Sequence, residues 1–248
     1  MPLLSYGVAL IAGLLMGNLV GFISLFFIEK EGMRFTRCQA CHNSIKWYDT
    51  SSTVSFLLLK GRCRSCGAKI NSRYFLIELL NGISYMIVFM ANGWNFLSIL
   101  YCLMTSAFLV ISIVDWLTYE IPLPCNIFLG AVGVVACIFD FKNLLSHVIG
   151  FFAISIALYL LFIISKGAAI GGGDVKLMAV AGLILGWKLV ILAFFLGCII
   201  GSVCHVIRMR VSKAERVLAM GPYLCMGLWI CALWGNEMIS WYLGRLGL

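Results

Sequence analysis

The stretch "LLSYGVALIAGLLMGNLVGFISLFFI", Leu3 to Ile28, decides the class of fold. It contains no charged residue, and as an α-helix it is long enough to cross a bilayer, which takes about 20 residues. No basic residue precedes it and no small-residue cleavage site follows, so we expect a retained membrane helix rather than a signal peptide. Gly13, Gly17 and Gly21 recur every four residues, which predicts a close-packing surface for a neighbouring helix.

Apolar runs of this kind recur along the whole chain. The 248 residues are 62% hydrophobic and only 11% charged, with a mean hydropathy of +1.04, whereas a soluble domain carries about 25% charged residues. We predict eight apolar segments, at 3–28, 74–91, 96–114, 122–139, 144–165, 174–186, 188–207 and 218–243. The runs are continuous rather than alternating, which excludes a β-barrel. The predicted fold is an all-α polytopic membrane protein with about eight transmembrane helices in the lipid bilayer.

The basic residues predict how the helices are oriented. Residues 29–73 form the main polar insertion and divide the chain into a first helix (1–28), this loop, and a bundle (74–248). If eight helices alternate, 15 of the 18 Lys and Arg residues lie on the same side as the insertion. The positive-inside rule makes that side cytoplasmic and places both termini outside. The net charge of +8 therefore reflects topology, and we expect no nucleic-acid partner.

Two C-x2-C pairs lie in the insertion. Cys38 and Cys41 form "CQAC", Cys63 and Cys66 form "CRSC", and 21 residues separate the pairs. Four such thiolates can close a tetrahedron around zinc, and a four-sulfur site has no open position, so the metal would be structural. Zinc would also stabilise a loop that has little core of its own. Disulfides are the alternative, but the cytoplasmic side is reducing, which favours a zinc-ribbon-like loop.

Two aspartates lie at the ends of predicted helices. Asp115 ends the third segment in "DWLTYEIP", and Asp174 begins the sixth in "GGGDVKLMAV". The predicted topology places both at the cytoplasmic side, at similar depth. Either one alone could be a helix cap. As a pair they would form a dyad that shares one proton, because two close carboxyl groups cannot both ionise at low cost.

Such a dyad suits hydrolysis of a peptide bond. The ionised carboxylate accepts a proton from water as the water attacks the carbonyl, and the protonated one donates to the oxyanion and later to the leaving nitrogen. Gly171, Gly172 and Gly173 precede Asp174. We expect them to adopt positive φ and to leave a side-chain-free wall that admits an extended substrate peptide. A plain turn between helices is the alternative.

Four motifs together resemble the type IV prepilin peptidases, membrane aspartyl proteases with a G-x-G-D motif. "GGGDVKLMAVAGLILG" is similar to the second aspartate motif of that family and "DWLTYEIP" to the first. The cysteine loop, with "LLLKGRCRSCGAKINSRY" followed by "LIE", matches the cytoplasmic insertion of the family, and "MGPYLCMG" resembles its glycine–proline stretch. The resemblance covers about residues 13–230.

The resemblance implies an aspartic endopeptidase of the bacterial inner membrane. Such enzymes remove basic leader peptides from type IV prepilins or pseudopilins, after a glycine and at the cytoplasmic face. Asp115 and Asp174 would then be the catalytic pair. The residues carried over as zinc-type ligands are Cys38, Cys41, Cys63 and Cys66.

The resemblance also implies N-methylation of the new N-terminus with S-adenosylmethionine. Glu78, where the family often carries a glutamate, is the candidate residue, with pairing inside the bundle as the alternative. Three departures touch the region associated with methyl transfer. "GNLVGFISLFFIEKEG" replaces a "GSFLNVVIYRLP"-like end, Gln39-Ala40 replaces a proline-containing pair, and "RYF" replaces "RYP". No glycine-rich fingerprint locates an S-adenosylmethionine site.

Two other functions fit parts of this pattern. A non-enzymatic zinc-ribbon membrane scaffold of a pilus or secretion assembly would use the cysteine loop and treat both aspartates as helix caps. A transporter could use the carboxylates to carry protons, but it leaves the cysteine loop unexplained. Substitution of Asp115 distinguishes the scaffold from the peptidase, because only the peptidase depends on that carboxylate.

Overall fold

The computed structural model describes residues 2–28, 41, 62–69, 72–212 and 218–246. Within these ranges every regular element is helical, apart from one isolated antiparallel bridge between Arg62 and Lys69. The helices are α1 Pro2–Ile28, α2 Ser72–Asn92, α3 Phe96–Thr118, α4 Leu123–Phe139, α5 Leu144–Ala153, α6 Ser155–Ile164, α7 Gly172–Leu185, α8 Trp187–Ser212 and α9 Gly221–Leu246. A 3₁₀ turn, Phe141–Asn143, precedes α5. The predicted all-α class is confirmed.

The chain is a multi-pass membrane protein. All eight predicted segments are helical, and five spans in the described residues are long and apolar enough to cross a bilayer: Leu4–Ile28, Phe75–Asn92, Phe96–Thr118, Phe141–Ile164 and Trp187–Val211. The helix α4 is apolar but shorter, and α7 has only 14 residues. The helix α9 has 26 residues of more mixed composition.

One predicted segment is not a single helix. The predicted segment 144–165 agrees with the span Phe141–Ile164, but the helix is interrupted at Ile154, which separates α5 from α6. The hydroxyl of Ser155 donates to the carbonyl of Phe151 next to this break. A serine hydroxyl that bonds to the preceding turn competes with the regular backbone ladder and often bends a helix.

The described chain forms two compact units, Met1–Ser98 and Ile99–Leu248, and the predicted three-part division remains a prediction. In the first unit α1 packs closely against α2. A Cβ atom on Gly17 would lie 2.6 Å from the Cα of Glu78, and one on Gly13 would lie 2.7 Å from the Cα of Gly82. The predicted small-residue packing surface is therefore confirmed at these two glycines, where any side chain would separate the helices.

In the second unit the short helix α7 contacts α4, α5, α6, α8 and α9. Glycines permit this central position. The backbones of Gly150 in α5 and Gly182 in α7 are in direct contact, and a Cβ atom on Gly133 in α4 would lie 2.8 Å from the Cβ of Leu183. Because helices surround it, α7 holds its first turn, which carries Asp174, in a fixed place.

Candidate active site

Asp115 lies one turn before the end of α3 and is only 5% exposed. Its Oδ2 atom accepts a hydrogen bond of 2.9 Å from the backbone N–H of Gly221, a buried contact between residues 106 positions apart. Gly221 is the first residue of α9. The N-terminus of a helix offers free N–H groups and a positive dipole end, so it stabilises a carboxylate there.

Gly221 must be a glycine for this contact to form. A Cβ atom at this position would lie 2.7 Å from Oδ2 of Asp115 and 3.0 Å from its Cγ. Real Cβ atoms essentially never approach another heavy atom this closely. The backbone of α9 therefore reaches the carboxylate only because no side chain intervenes.

Asp174 lies in the first turn of α7, two residues after the helix begins at Gly172. The backbone of Gly171, the N-cap residue, lies close to its carboxylate, since a Cβ atom on Gly171 would be 3.2 Å from Oδ2 of Asp174. Its Oδ1 atom is buried and has no hydrogen-bond partner. A buried carboxylate oxygen without a partner is costly, so its presence needs a reason, of which a catalytic role is one.

The three glycines before Asp174 do not behave as predicted. Gly171 has φ −72°, and neither Gly172 nor Gly173 is among the described glycines with positive φ, so the expectation of positive φ is wrong. The physical reason is that α7 begins at Gly172, so two of the glycines are already helical. Close approach is tightest at Gly173, where a Cβ atom would lie 2.8 Å from the Cβ of Ile121, and a Cβ atom on Gly171 would lie 3.2 Å from Oδ2 of Asp174. The role of the three in admitting substrate stays a prediction.

The two aspartates belong to one electrostatic cluster. The charge of Asp115 acts on Asp174, and both act on the thiol of Cys225, which lies one turn into α9 and is 3% exposed. Ser112 lies one turn before Asp115 on α3, and its hydroxyl donates to the carbonyl of Phe108 at 2.7 Å. Helices α3, α7 and α9 therefore bring the predicted pair together with a glycine and a cysteine that the sequence prediction left without a role.

Three of the four predicted zinc ligands lie together. The Sγ atoms of Cys41, Cys63 and Cys66 are all within 4.8 Å of one another. Cys38 lies outside the described residues. The turn after Cys63 is tight, since the N–H of Gly67 donates to the carbonyl of Cys63 at 2.9 Å and Gly67 has φ +71°. Three converging thiols on such a turn are a donor set that fits tetrahedral zinc.

Glu78 is buried between α1 and α2, with 1% of its surface exposed. Its Oε1 atom accepts a hydrogen bond of 3.1 Å from the Nδ2 of Asn18 on α1. One turn further along α2, Asn81 is completely buried and its Nδ2 donates to the carbonyl of Gly13 at 2.7 Å. The first unit thus contains a buried polar cluster, and Asn18 and Asn81 are members that the sequence prediction missed.

These features define a class: a helical membrane protein with a carboxylate pair in one unit, one member of which is buried, and a cysteine cluster in the other. Comparison with known families agrees with that class. Residues 11–92 match the bacterial peptidase A24 N-terminal domain, and residues 102–206 match the type IV leader peptidase family. The second match contains both aspartates, and the first contains the cysteines and Glu78.

Curated relatives carry one name throughout. The chain is 32% identical over 214 residues to the prepilin leader peptidase/N-methyltransferase of Neisseria gonorrhoeae, which covers 83% of this chain and 74% of the relative. It is 31% identical to the Aeromonas hydrophila protein of that name, over 83% of this chain and 73% of the relative. No solved structure shows a significant match. The chain belongs to the type IV leader peptidase family.

Proposed function

We propose that this chain is a prepilin leader peptidase that uses Asp115 and Asp174 as its acid–base pair. One observation carries the proposal: the buried carboxylate of Asp115, fixed by Gly221, lies in the same electrostatic cluster as Asp174. The curated relatives that bear this name cover more than four fifths of the chain. The substrate we infer is the leader segment of a type IV prepilin or pseudopilin.

The reaction needs no group beyond the two carboxyls and water. One carboxylate accepts a proton as water attacks the scissile carbonyl carbon, and the other carboxyl donates its proton to the carbonyl oxygen. Collapse of the tetrahedral intermediate breaks the C–N bond, and a carboxyl supplies the proton that the leaving nitrogen takes. The N–H of Gly221 orients Asp115 throughout, because it donates a hydrogen bond to Oδ2 of the carboxylate. The two acids titrate as a pair.

The site faces the cytoplasm in this proposal, and the protein lies in the bacterial inner membrane. Support comes from the charge pattern, since the side that carries the cysteine insertion also carries 15 of the 18 basic residues. Asp115 near the end of α3 and Asp174 at the start of α7 are both at helix ends on that side. A leader peptide that stays in the cytoplasm would therefore reach the pair without crossing the bilayer.

The same chain is inferred to methylate the new N-terminus, with S-adenosylmethionine as the methyl donor. Glu78 is the proposed residue for this step, because it is a buried carboxylate in the unit that matches the N-terminal domain of the family. Its carboxylate would accept the proton that the terminal amine loses. Asn18 orients that carboxylate through its hydrogen bond. No residue is assigned to binding the donor.

We infer that Cys38, Cys41, Cys63 and Cys66 hold a structural zinc ion. When bound, zinc would cross-link the two C-x2-C turns through four thiolates and so fix the fold of the loop. The converging Sγ atoms of the three described cysteines support this assignment. The metal has no part in the cleavage step.

Co-expression with a prepilin tests the proposed cleavage. The variants Asp115→Asn and Asp174→Asn should each leave the precursor uncut, as measured by its mass on an immunoblot and by intact mass spectrometry. Asp140→Asn is the matched control, because it removes a carboxylate of the same unit that lies on the link between α4 and α5 and pairs with His147 at 3.3 Å. Uncut precursor in cells with the wild-type chain, under conditions where a relative cuts it, would refute the proposal.

A further inference from the structure

The side-chain amide of Asn126 is buried and has no partner. Asn126 lies in the first turn of α4 and is only 4% exposed. Both polar atoms of its side chain, Oδ1 and Nδ2, are buried without a hydrogen bond. Among the described residues, Asn126 is the only one whose side-chain amide has both its oxygen and its nitrogen buried without a hydrogen bond. Buried amides almost always have partners, so this one calls for a ligand that can both donate and accept.

The helix register places Asn126 on the face of α4 that packs against α7. Residues 126, 130, 133 and 137 lie on one helix face by their spacing. Three of them contact α7: a Cβ atom on Gly130 would lie 3.6 Å from Val180, Gly133 adjoins Leu183, and the thiol of Cys137 approaches the Leu183 carbonyl at 3.6 Å. We call this line of contact between α4 and α7, through Gly130, Gly133 and Cys137, the seam. Asn126 lies on the same face of α4, about one turn closer to the start of that helix.

The start of α7 is where the proposed catalytic pair lies. Gly173 of α7 meets Ile121, which lies just before α4, so the two helices run side by side from these residues. The pairing of Gly130 with Val180 and of Gly133 with Leu183 puts Asn126 level with residue 176 of α7, about half a turn beyond Asp174. Cys125, the neighbour of Asn126, acts electrostatically on Cys225, which in turn interacts with both aspartates. The unpartnered amide and the unpartnered Oδ1 of Asp174 are thus at similar depth, and Asp174 is the next residue along α7 after Gly173, which contacts Ile121.

The backbone of an extended peptide can supply the hydrogen-bond partners that Oδ1 and Nδ2 of Asn126 lack. Each residue of an extended chain presents one N–H and one C=O, which together match the acceptor and donor of a side-chain amide. Backbone groups in the interior of the surrounding helices are bonded within those helices, so only helix ends and side chains can bond to a peptide. A side-chain amide is the natural substitute in an all-helical site.

We propose that Asn126 is a substrate-positioning residue that binds the backbone of the substrate on the mature side of the scissile bond. This inference rests on the proposed peptidase function. Oδ1 accepts the N–H of the second mature residue, and Nδ2 donates to a neighbouring carbonyl. The mature side follows from depth, because Asn126 lies further than Asp174 from the ends of α4 and α7 that face the cytoplasm in the predicted topology.

The test is a double comparison of enzyme and substrate, with the full chain in lipid nanodiscs. The enzyme change is Asn126→Leu, which keeps the branching and the number of heavy atoms of the side chain and removes both polar atoms. The substrate change is a synthetic prepilin peptide in which an ester replaces the amide between the first and second mature residues, so that one N–H is lost. Asn92→Leu is the matched control, because Asn92 also has an unpartnered buried Nδ2 but lies in the first unit.

We expect Asn126→Leu to lower kcat/KM on the all-amide peptide about 5- to 30-fold, mainly through KM, as loss of one or two hydrogen bonds predicts. The ester peptide should lower kcat/KM of the wild-type enzyme by a similar factor. It should lower kcat/KM of Asn126→Leu almost no further. Thermal stability of the variant should be equal or higher, since it buries fewer unpaired polar atoms. Asn92→Leu should retain the full ester effect.

Two results would overturn the inference. One is a wild-type kcat/KM in Asn126→Leu, and the other is an equal ester effect in both enzymes, which would make the amide purely structural. If Asn126→Leu does not fold, Asn126→Ala provides the same comparison, judged by the same ester effect. Failure of the peptidase function is distinguishable, because the wild-type chain would then leave the all-amide peptide uncut.

Discussion

The substitution Gly221→Ala tests the geometry that fixes Asp115. The added Cβ would lie 2.7 Å from Oδ2 of the aspartate, whereas ordinary contacts of a Cβ begin at 3.4 Å. The start of α9 and the carboxylate must therefore separate by about 0.7 Å. A shift of this size stretches the 2.9 Å hydrogen bond beyond useful length and turns the carboxylate away from its partner.

The expected loss of activity follows from that bond. Hydrogen bonds to charged groups contribute about 1.5–3 kcal/mol, and each 1.36 kcal/mol is a factor of ten in rate. Gly221→Ala should therefore lower kcat about 10- to 150-fold. KM should change little, because Gly221 contacts the catalytic carboxylate rather than the substrate.

Initial rates of prepilin cleavage by purified enzyme in nanodiscs measure this effect. Gly130→Ala is the control, because the new Cβ there meets only Val180, at an ordinary 3.6 Å. That variant should keep wild-type activity and be slightly more stable, as expected for Gly→Ala within a helix. A folded Gly221→Ala enzyme with wild-type kcat would refute the role assigned to this contact.

Three further predictions concern other parts of the chain. Gly173→Ala should reduce stability by about 1–3 kcal/mol, because the new Cβ overlaps Ile121. Gly172→Ala is the control and should not reduce stability, because the nearest atom to its new Cβ is 3.7 Å away. Thermal denaturation measures both variants, and equal melting temperatures would contradict this prediction. Cys63→Ser should remove bound zinc, measured by elemental mass spectrometry of the purified chain, and unchanged zinc content would exclude the thiolate site. Glu78→Gln should abolish the added methyl on mature pilin while cleavage continues, measured by intact mass, and a fully methylated product would remove Glu78 from the mechanism.

The helices were predictable wherever an apolar run is long and bounded by polar residues. The segment 3–28 agrees with α1, and 122–139 agrees with α4, because composition alone sets the helix in a bilayer. The break at Ile154 was not predictable in this way. The run around it is continuously apolar, and the break adjoins a local hydrogen bond from Ser155, which apolar periodicity does not report.

The aspartates could be singled out as candidate site residues because charge is rare and costly within such runs. Their environment could not be predicted. Gly221 contacts Asp115 although 106 positions separate them in the sequence. In the sequence alone, a glycine at the start of an apolar run indicates only where a helix begins. The Gly221-Pro222 pair was a usable signal for a helix start. Asn18 and Asn126 carried a signal as well, since each is an amide inside an apolar segment, but only packing shows that Asn18 bonds to Glu78 and that Asn126 is buried.

The most direct test of the central claim is the cleavage rate of Asp115→Asn, Asp174→Asn and the double variant, measured with purified, folded enzyme and one prepilin. Groups that act as a unit give non-additive losses. We expect each single variant to lose as much activity as the double variant, because neither carboxyl functions without the other. A single variant that retains substantial cleavage, or a double variant whose loss is the product of the two single losses, would contradict an acid–base pair at Asp115 and Asp174.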